Sequence, residues 1–203
     1  TSSTGSAANV RLTVSWSGDL VAVWHETDAG LSNIWANRYV ASLGRWEDAG
    51  LIETSSAGNA EAPDVKADNW GNVTAVWSQH TGSRKAVFAN RFSADAGRWG
   101  DAGIIDTEST GDSHGVRVGM DNAGNAVAAW SRDLGGQSTI WANRYVAATE
   151  RWSDAGRISA IDAGLADALE IAVDWMGNVA VAWTQILGAE TRVLASRYSA
   201  DGG

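Results

Sequence analysis

The sequence predicts an all-β chain, a β-propeller of four tandem blades of about 53 residues, on three observations. First, Gly18, Gly71, Gly124 and Gly177 stand 53 residues apart, as do Trp24, Trp77, Trp130 and Trp183. Second, a phrase recurs in step: IWANRY (34–39), VFANRF (87–92), IWANRY (140–145) and VLASRY (193–198). Third, nothing in the chain holds a 3.6-residue apolar period for three turns, whereas short alternating and β-branched runs recur throughout. The repeats are 1–53, 54–106, 107–159 and 160–203, in one domain over 1–203.

The second unit shows why each element forms. APDVKAD (62–68) alternates apolar and polar residues, as a half-buried strand does. D-N-W-G-N (68–72) is a turn, because Asp68 can bond its own backbone and Gly71 can take positive φ. VTAVW (73–77) is apolar on both faces, the mark of a strand covered from both sides. AVFANRF (86–92) alternates again, S-A-D-A-G-R (93–98) turns the chain, and WGDAGIID (99–106) is the outer strand. RW-x-DAG occurs only at 45–50, 98–103 and 151–156, so the last blade is expected to lack its outer strand. Three assemblies follow: closure as a four-bladed ring, which is expected first, two chains completing an eight-bladed ring, or a piece of a longer propeller. Twelve tryptophans suit the first, as bulky wedges between steeply set blades.

Tyr39 to Trp46, Phe92 to Trp99 and Tyr145 to Trp152 are each seven residues apart. This aromatic-x6-Trp spacing resembles the kelch repeat, where it joins the third and fourth strands of a blade. Kelch blades carry paired glycines after the second strand, where this chain has Trp24-His25, Trp77-Ser78, Trp130-Ser131 and Trp183-Thr184. The likeness therefore concerns blade geometry. The phrase G-N-x-x-A-x-W followed by I-W-A-N-R-Y also resembles tandem repeats of secreted bacterial proteins. The resemblance implies export, to the medium or the cell surface. The order D-x-x-G-N-x-x-A-x-W does not fit the Asp-box of sialidases, so no catalytic residue is carried over.

Net charge is −9, with six carboxylates in each repeat and no basic stripe, which argues against nucleic acid as a partner. No apolar run reaches the ~18 residues of a membrane span, so no membrane insertion is expected. Without cysteine there is neither a disulfide nor a thiolate site. His25, His80 and His114 fall at unrelated registers, so no metal site and no cofactor is implied. The chain opens at Thr1 without an initiator Met, as a processed or excised polypeptide would.

Residues present in every blade read as structure. Arg38, Arg91, Arg144 and Arg197 are expected to pair across strands with Asp48, Asp101 and Asp154. Trp24, Trp77, Trp130 and Trp183, with Trp46, Trp99 and Trp152, are expected to pack between blades. Departures from the repeat carry the candidate sites. Trp16, Trp70 and Trp175 lie in the turn between the first two strands, where the third unit has Ala123. Each ring is expected to fold back over its own hairpin; if exposed instead, the cluster could stack on a sugar or meet another chain. The alternative is the opposite, loop-rich end: Glu26, His80, Arg84, His114, Arg132, Gln137 and Glu190, since rigid scaffolds bind through variable loops.

The function expected first is non-catalytic recognition of a carbohydrate or protein ligand through one face, with a homodimer completing a larger ring as a further partner. The alternatives are a polysaccharide-active hydrolase or lyase and a structural repeat module of a larger surface protein.

Overall fold

The structure, a computed structural model, describes residues 5–54, 58–160 and 164–200. Four antiparallel sheets follow one another along the chain, and the only other regular elements described are two single-turn 3₁₀ segments. Blade one holds β1 (Ser6–Val14), β2 (Leu20–Asp28), β3 (Leu31–Val40), β4 (Arg45–Trp46) and β5 (Gly50–Leu51). Blade two holds β6 (Ala60–Ala67), β7 (Val73–His80), β8 (Lys85–Ser93), β9 (Arg98–Trp99) and β10 (Gly103–Ile104). Blade three holds β11 (Asp112–Met120), β12 (Ala126–Leu134), β13 (Gln137–Val146), β14 (Arg151–Trp152) and β15 (Gly156–Arg157). Among the described residues, blade four holds β16 (Ala166–Val173), β17 (Val179–Leu187) and β18 (Glu190–Tyr198).

The outer strand differs from the sequence reading in being broken into two short pieces, both paired to the third strand. The asparagine of the A-N-R phrase fills the break. Asn90 donates its side-chain amide to the carbonyls of Ile52 (2.7 Å) and Gly100 (3.0 Å). Asn143 does the same with Ile105 (2.8 Å) and Ser153 (2.7 Å). Each asparagine thus stitches its own outer edge to the preceding blade. The seven-residue aromatic spacing is a cross-strand pair: Tyr39 faces Trp46, Phe92 faces Trp99 and Tyr145 faces Trp152, edge-on at 5.6–5.8 Å.

Every inner strand carries a bulge at the same register, where the pairing slips between Ala8/Arg11, Glu61/Asp64, His114/Arg117 and Asp167/Glu170. Asn9, Ala62, Gly115 and Ala168 take positive φ there, between 50° and 62°. For the two alanines this costs roughly 1 kcal/mol each. A bulge bends the strand and re-aims the neighbouring side chains. The residue just before it differs in every blade (Ala8, Glu61, His114, Asp167).

Successive blades pack face to face, and the core lies between them. Val23, Ile34 and Ala36 of blade one meet Val65, Trp77 and Phe88 of blade two. Val76, Val87 and Ala89 meet Val118 and Trp130, and Ala129 and Ile140 meet Val181 and Trp183. Inner strands follow the same order, β1 along β6, β6 along β11 and β11 along β16, whereas β1 and β16 make no comparable contact. The four blades form an open arc, which departs from the four-bladed ring expected from the sequence. Val10, Leu12 and Val14 of β1 remain exposed as a result. Trp24 is half-exposed where Trp77, Trp130 and Trp183 are buried, because none of the described blades packs on its face. Trp46, also expected to be packed, is exposed for the same reason, while Trp99 and Trp152 lie partly buried against the interblade cores.

The repeated arginines do not pair with Asp48, Asp101 and Asp154. Three of them reach the next blade: Arg38 lies over the Phe92 ring (5.3 Å), Arg91 over Tyr145 (4.0 Å) and Arg144 over Tyr198 (5.8 Å). Each arginine therefore clips one blade to the next by a cation–π contact. Arg38 also meets Asp19 of its own blade, at 2.5 Å.

Candidate functional site

Antiparallel topology gives the arc two rims. One carries the turns between first and second strands, the other the β2–β3, β7–β8, β12–β13 and β17–β18 hairpins together with the interblade segments. Those segments include 55–57 and 161–163, which lie outside the described residues.

On the turn rim, Asp68 Oδ1 accepts from the backbone N–H of Trp70 and Asn72 (both 2.9 Å), and Asp68 Oδ2 accepts from the Asn72 amide. Asp121 and Asp174 repeat this arrangement. The Asn178 side chain, above all, holds the Asp174 carboxyl below its ordinary range. Blade one inverts the chemistry: Asp19 stands where the others have asparagine and accepts from Ala41 N–H, which lowers its pKa together with Arg38. With the loop shape fixed by these bonds, the tryptophans project. Trp16 is 86% exposed, Trp70 77% and Trp175 72%. Trp70 alone reaches a neighbour, donating its indole N–H to the Asn122 carbonyl of the next blade (3.2 Å). Trp16 and Trp175 share a register and Trp70 stands one place later, so the three do not form an identical series.

On the hairpin rim the loop candidates separate into buried and accessible groups. Glu26, Gln79, Arg132 and Gln185 occupy one register and are all buried. Their role is internal: Trp24, Trp77 and Trp183 donate their indole N–H to Glu26 (3.3 Å), Gln79 (3.0 Å) and Gln185 (3.1 Å). Arg132 has no acceptor to offer, and Trp130 Nε1 is left buried without a partner among the described residues. The guanidinium instead bonds the Thr110 carbonyl and Glu108 and lies over Trp141. Glu26 and Arg132 are thus buried in the blades' interior, whereas the sequence reading set them on accessible loops. Arg84 is bound to buried Asp106 (2.7 Å). His80, Gln137 and Glu190 are exposed at hairpin ends, Glu190 paired with Arg192 of its own hairpin.

His114 has the most developed surroundings. Its Nε2 meets Asp133 Oδ2 at 3.0 Å, and Ser138 donates its hydroxyl to the other oxygen of Asp133. Both His114 and Asp133 are about two-fifths exposed, on a cleft of about 470 Å³ between blades three and four. Asp167 and Thr184 line the same cleft from blade four. His114 Nδ1 has no partner among the described residues. A histidine held by a carboxylate that is itself held by a hydroxyl can move a proton. Neighbouring blades lack the set: Glu61 is paired with Lys85, and the first blade has Ala8 at this register.

A second ionisable group stands apart. Glu53, between blades one and two, accepts from Ile34 N–H (3.1 Å) and from the Gln79 amide (3.2 Å). Loss of solvent outweighs both bonds and pushes its carboxyl up to about 7. Sequence reasoning singled out His114 as a departure from the repeat but missed Ser138, Asp167 and Glu53. The signal for Asp167 was present in the register Ala8, Glu61, His114, Asp167. Nothing in the sequence marks Ser138 or Glu53.

No protein-family model and no curated relative matches the chain. Solved structures do. An ulvan lyase from a new family of polysaccharide lyases superposes with a TM-score of 0.68 at 10% identity, over 94% of this chain and 52% of that one. An endo-arabinase from Bacteroides thetaiotaomicron gives 0.55 at 13% identity, over 96% and 75%. A thermostable family-43 glycoside hydrolase gives 0.53 at 12%, over 94% and 68%. The chain spans about half the length of the lyase. At such identities the likeness speaks for the fold, and the fold is a β-propeller.

Proposed function

We propose that this propeller acts on polysaccharide, with a sugar residue seated in the cleft between blades three and four and His114 as the proton-transferring group. The observation that carries this reading is the Ser138–Asp133–His114 chain opening on that cleft opposite Asp167. Asp133 fixes the imidazole, its free nitrogen is left for substrate, and Asp167 supplies a second carboxylate across the gap. Solved propellers of like fold that are named as a polysaccharide lyase and as glycoside hydrolases support the same class. Non-catalytic recognition is the second reading, favoured by the exposure of Trp16, Trp70 and Trp175 on the other rim.

A panel of neutral and uronic-acid polysaccharides tests it. New reducing ends without a double bond mean hydrolysis. New ends with an ultraviolet-absorbing double bond mean elimination. Binding without either product, abolished by Trp→Ala changes on the turn rim, means the second reading holds in place of the first.

A further inference from the structure

The contacts that join the blades are directional, and the two ends of the arc are their unpaired halves. In each of the three interblade junctions an arginine of the earlier blade covers an aromatic ring of the later one: Arg38 on Phe92, Arg91 on Tyr145, Arg144 on Tyr198. By register the next arginine is Arg197, exposed on β18, and the preceding ring is Tyr39 on β3; among the described residues no ring lies above the one and no arginine over the other. The apolar surfaces divide in the same way. Leu12, Trp24, Trp35 and Tyr39 of blade one hold the register of Val65, Trp77, Phe88 and Phe92, which blade two buries against blade one. Ala182, Val193 and Ala195 of blade four hold the register of Val23, Ile34 and Ala36, which blade one buries against blade two. Leu12 is 60% exposed and Val193 75%.

We propose that a second copy of this chain docks its first blade on the fourth, head to tail, so that Arg197 of each copy covers Tyr39 of the other and two copies close one ring. The occupant is a second copy because the two free surfaces are the two sides of one junction that the chain builds three times within itself. Such a heterologous contact, made twice around a two-fold axis, is closed and leaves neither end bare.

Sedimentation equilibrium of the 203-residue chain at about 100 μM tests it, a concentration at which an interface of ~10 μM affinity is mostly assembled. The expected mass is twice 21.3 kDa. Arg197→Ala and Tyr39→Ala should each weaken the dimer roughly tenfold per contact, and the double variant should be no weaker than either alone. Arg197→Lys keeps the charge without the planar face and should weaken it too, and a cooperative thermal melt confirms that each variant is folded. A monomer at this concentration overturns the proposal and leaves further blades or another protein as the occupant. Assemblies larger than two copies, or a dimer indifferent to residues 39 and 197, overturn it as well.

Discussion

The guanidinium of Arg91 lies 4.0 Å from the centre of the Tyr145 ring on the following blade and also donates to Thr74 Oγ1 at 2.6 Å. Desolvation holds this arginine below its ordinary pKa, with the Tyr145 and Asp68 charges acting against that shift. It joins one blade's second and third strands to the next blade's third. Arg91→Ala should cost about 1–2 kcal/mol, and a double-mutant cycle with Tyr145→Leu should show coupling near 1 kcal/mol. Urea denaturation measures both. Additive effects would mean the stacking is incidental.

Acceptors beside the buried tryptophans allow a second prediction. Gln79→Leu removes the partner of Trp77 Nε1 and should destabilise the protein by about 1–3 kcal/mol. At the third blade the indole N–H has no partner among the described residues, since Arg132 replaces the acceptor. Arg132→Leu should therefore leave the Trp130 hydrogen-bond inventory unchanged, and its cost should come from Glu108, Thr110 and the Trp141 ring. Combining it with Glu108→Ala should then add little to the urea-measured loss.

Glu53 makes stability depend on pH with a definite sign. Its folded pKa is raised from 4.5 to about 7, so the folded state holds a proton that the unfolded state has released in that window. The contribution is full below about pH 4.5 and is lost as pH rises through about 7. Asp19 and Asp174 act in the opposite direction, adding stability above their unfolded pKa of 3.8 and losing it as pH falls. Denaturation midpoints at pH 5 and pH 8 should fall more for wild type than for Glu53→Gln. An identical fall in both would show that Glu53 is solvated.

Among the described residues, no strand pairs with the outer edge of β18 in blade four. A C-terminal extension of the RW-x-DAG-x-I type should pair with it and raise the melting temperature by several degrees, the equivalent of about 1 kcal/mol or more. An unchanged melting temperature would mean that the edge is already covered.

Most of the fold was legible because a period of 53 residues fixes strand number, turn position and aromatic pairing at once. The broken outer strand was not, because it depends on where the Asn90 side chain finds carbonyls on two blades. The role of Arg38, Arg91 and Arg144 was misplaced for a related reason. Strand-to-strand reasoning sees only neighbours within a sheet, and their partners lie on the next sheet. The site was legible only in part. His114 breaks the repeat visibly, while its tie to Asp133 follows from β11 lying against β12 in shifted register. Glu26 and Arg132 looked like loop residues because the hairpin ends two places later than the buried register.

The proposed chemistry lies at the cleft of blades three and four. It is tested most directly by the turnover of a cleaved polysaccharide in His114→Gln against a Trp16→Ala, Trp70→Ala, Trp175→Ala triple variant. Loss of about 10²–10⁴-fold in His114→Gln with binding retained, and near wild-type turnover in the triple variant, is the result this structure predicts. Wild-type turnover in His114→Gln would contradict it.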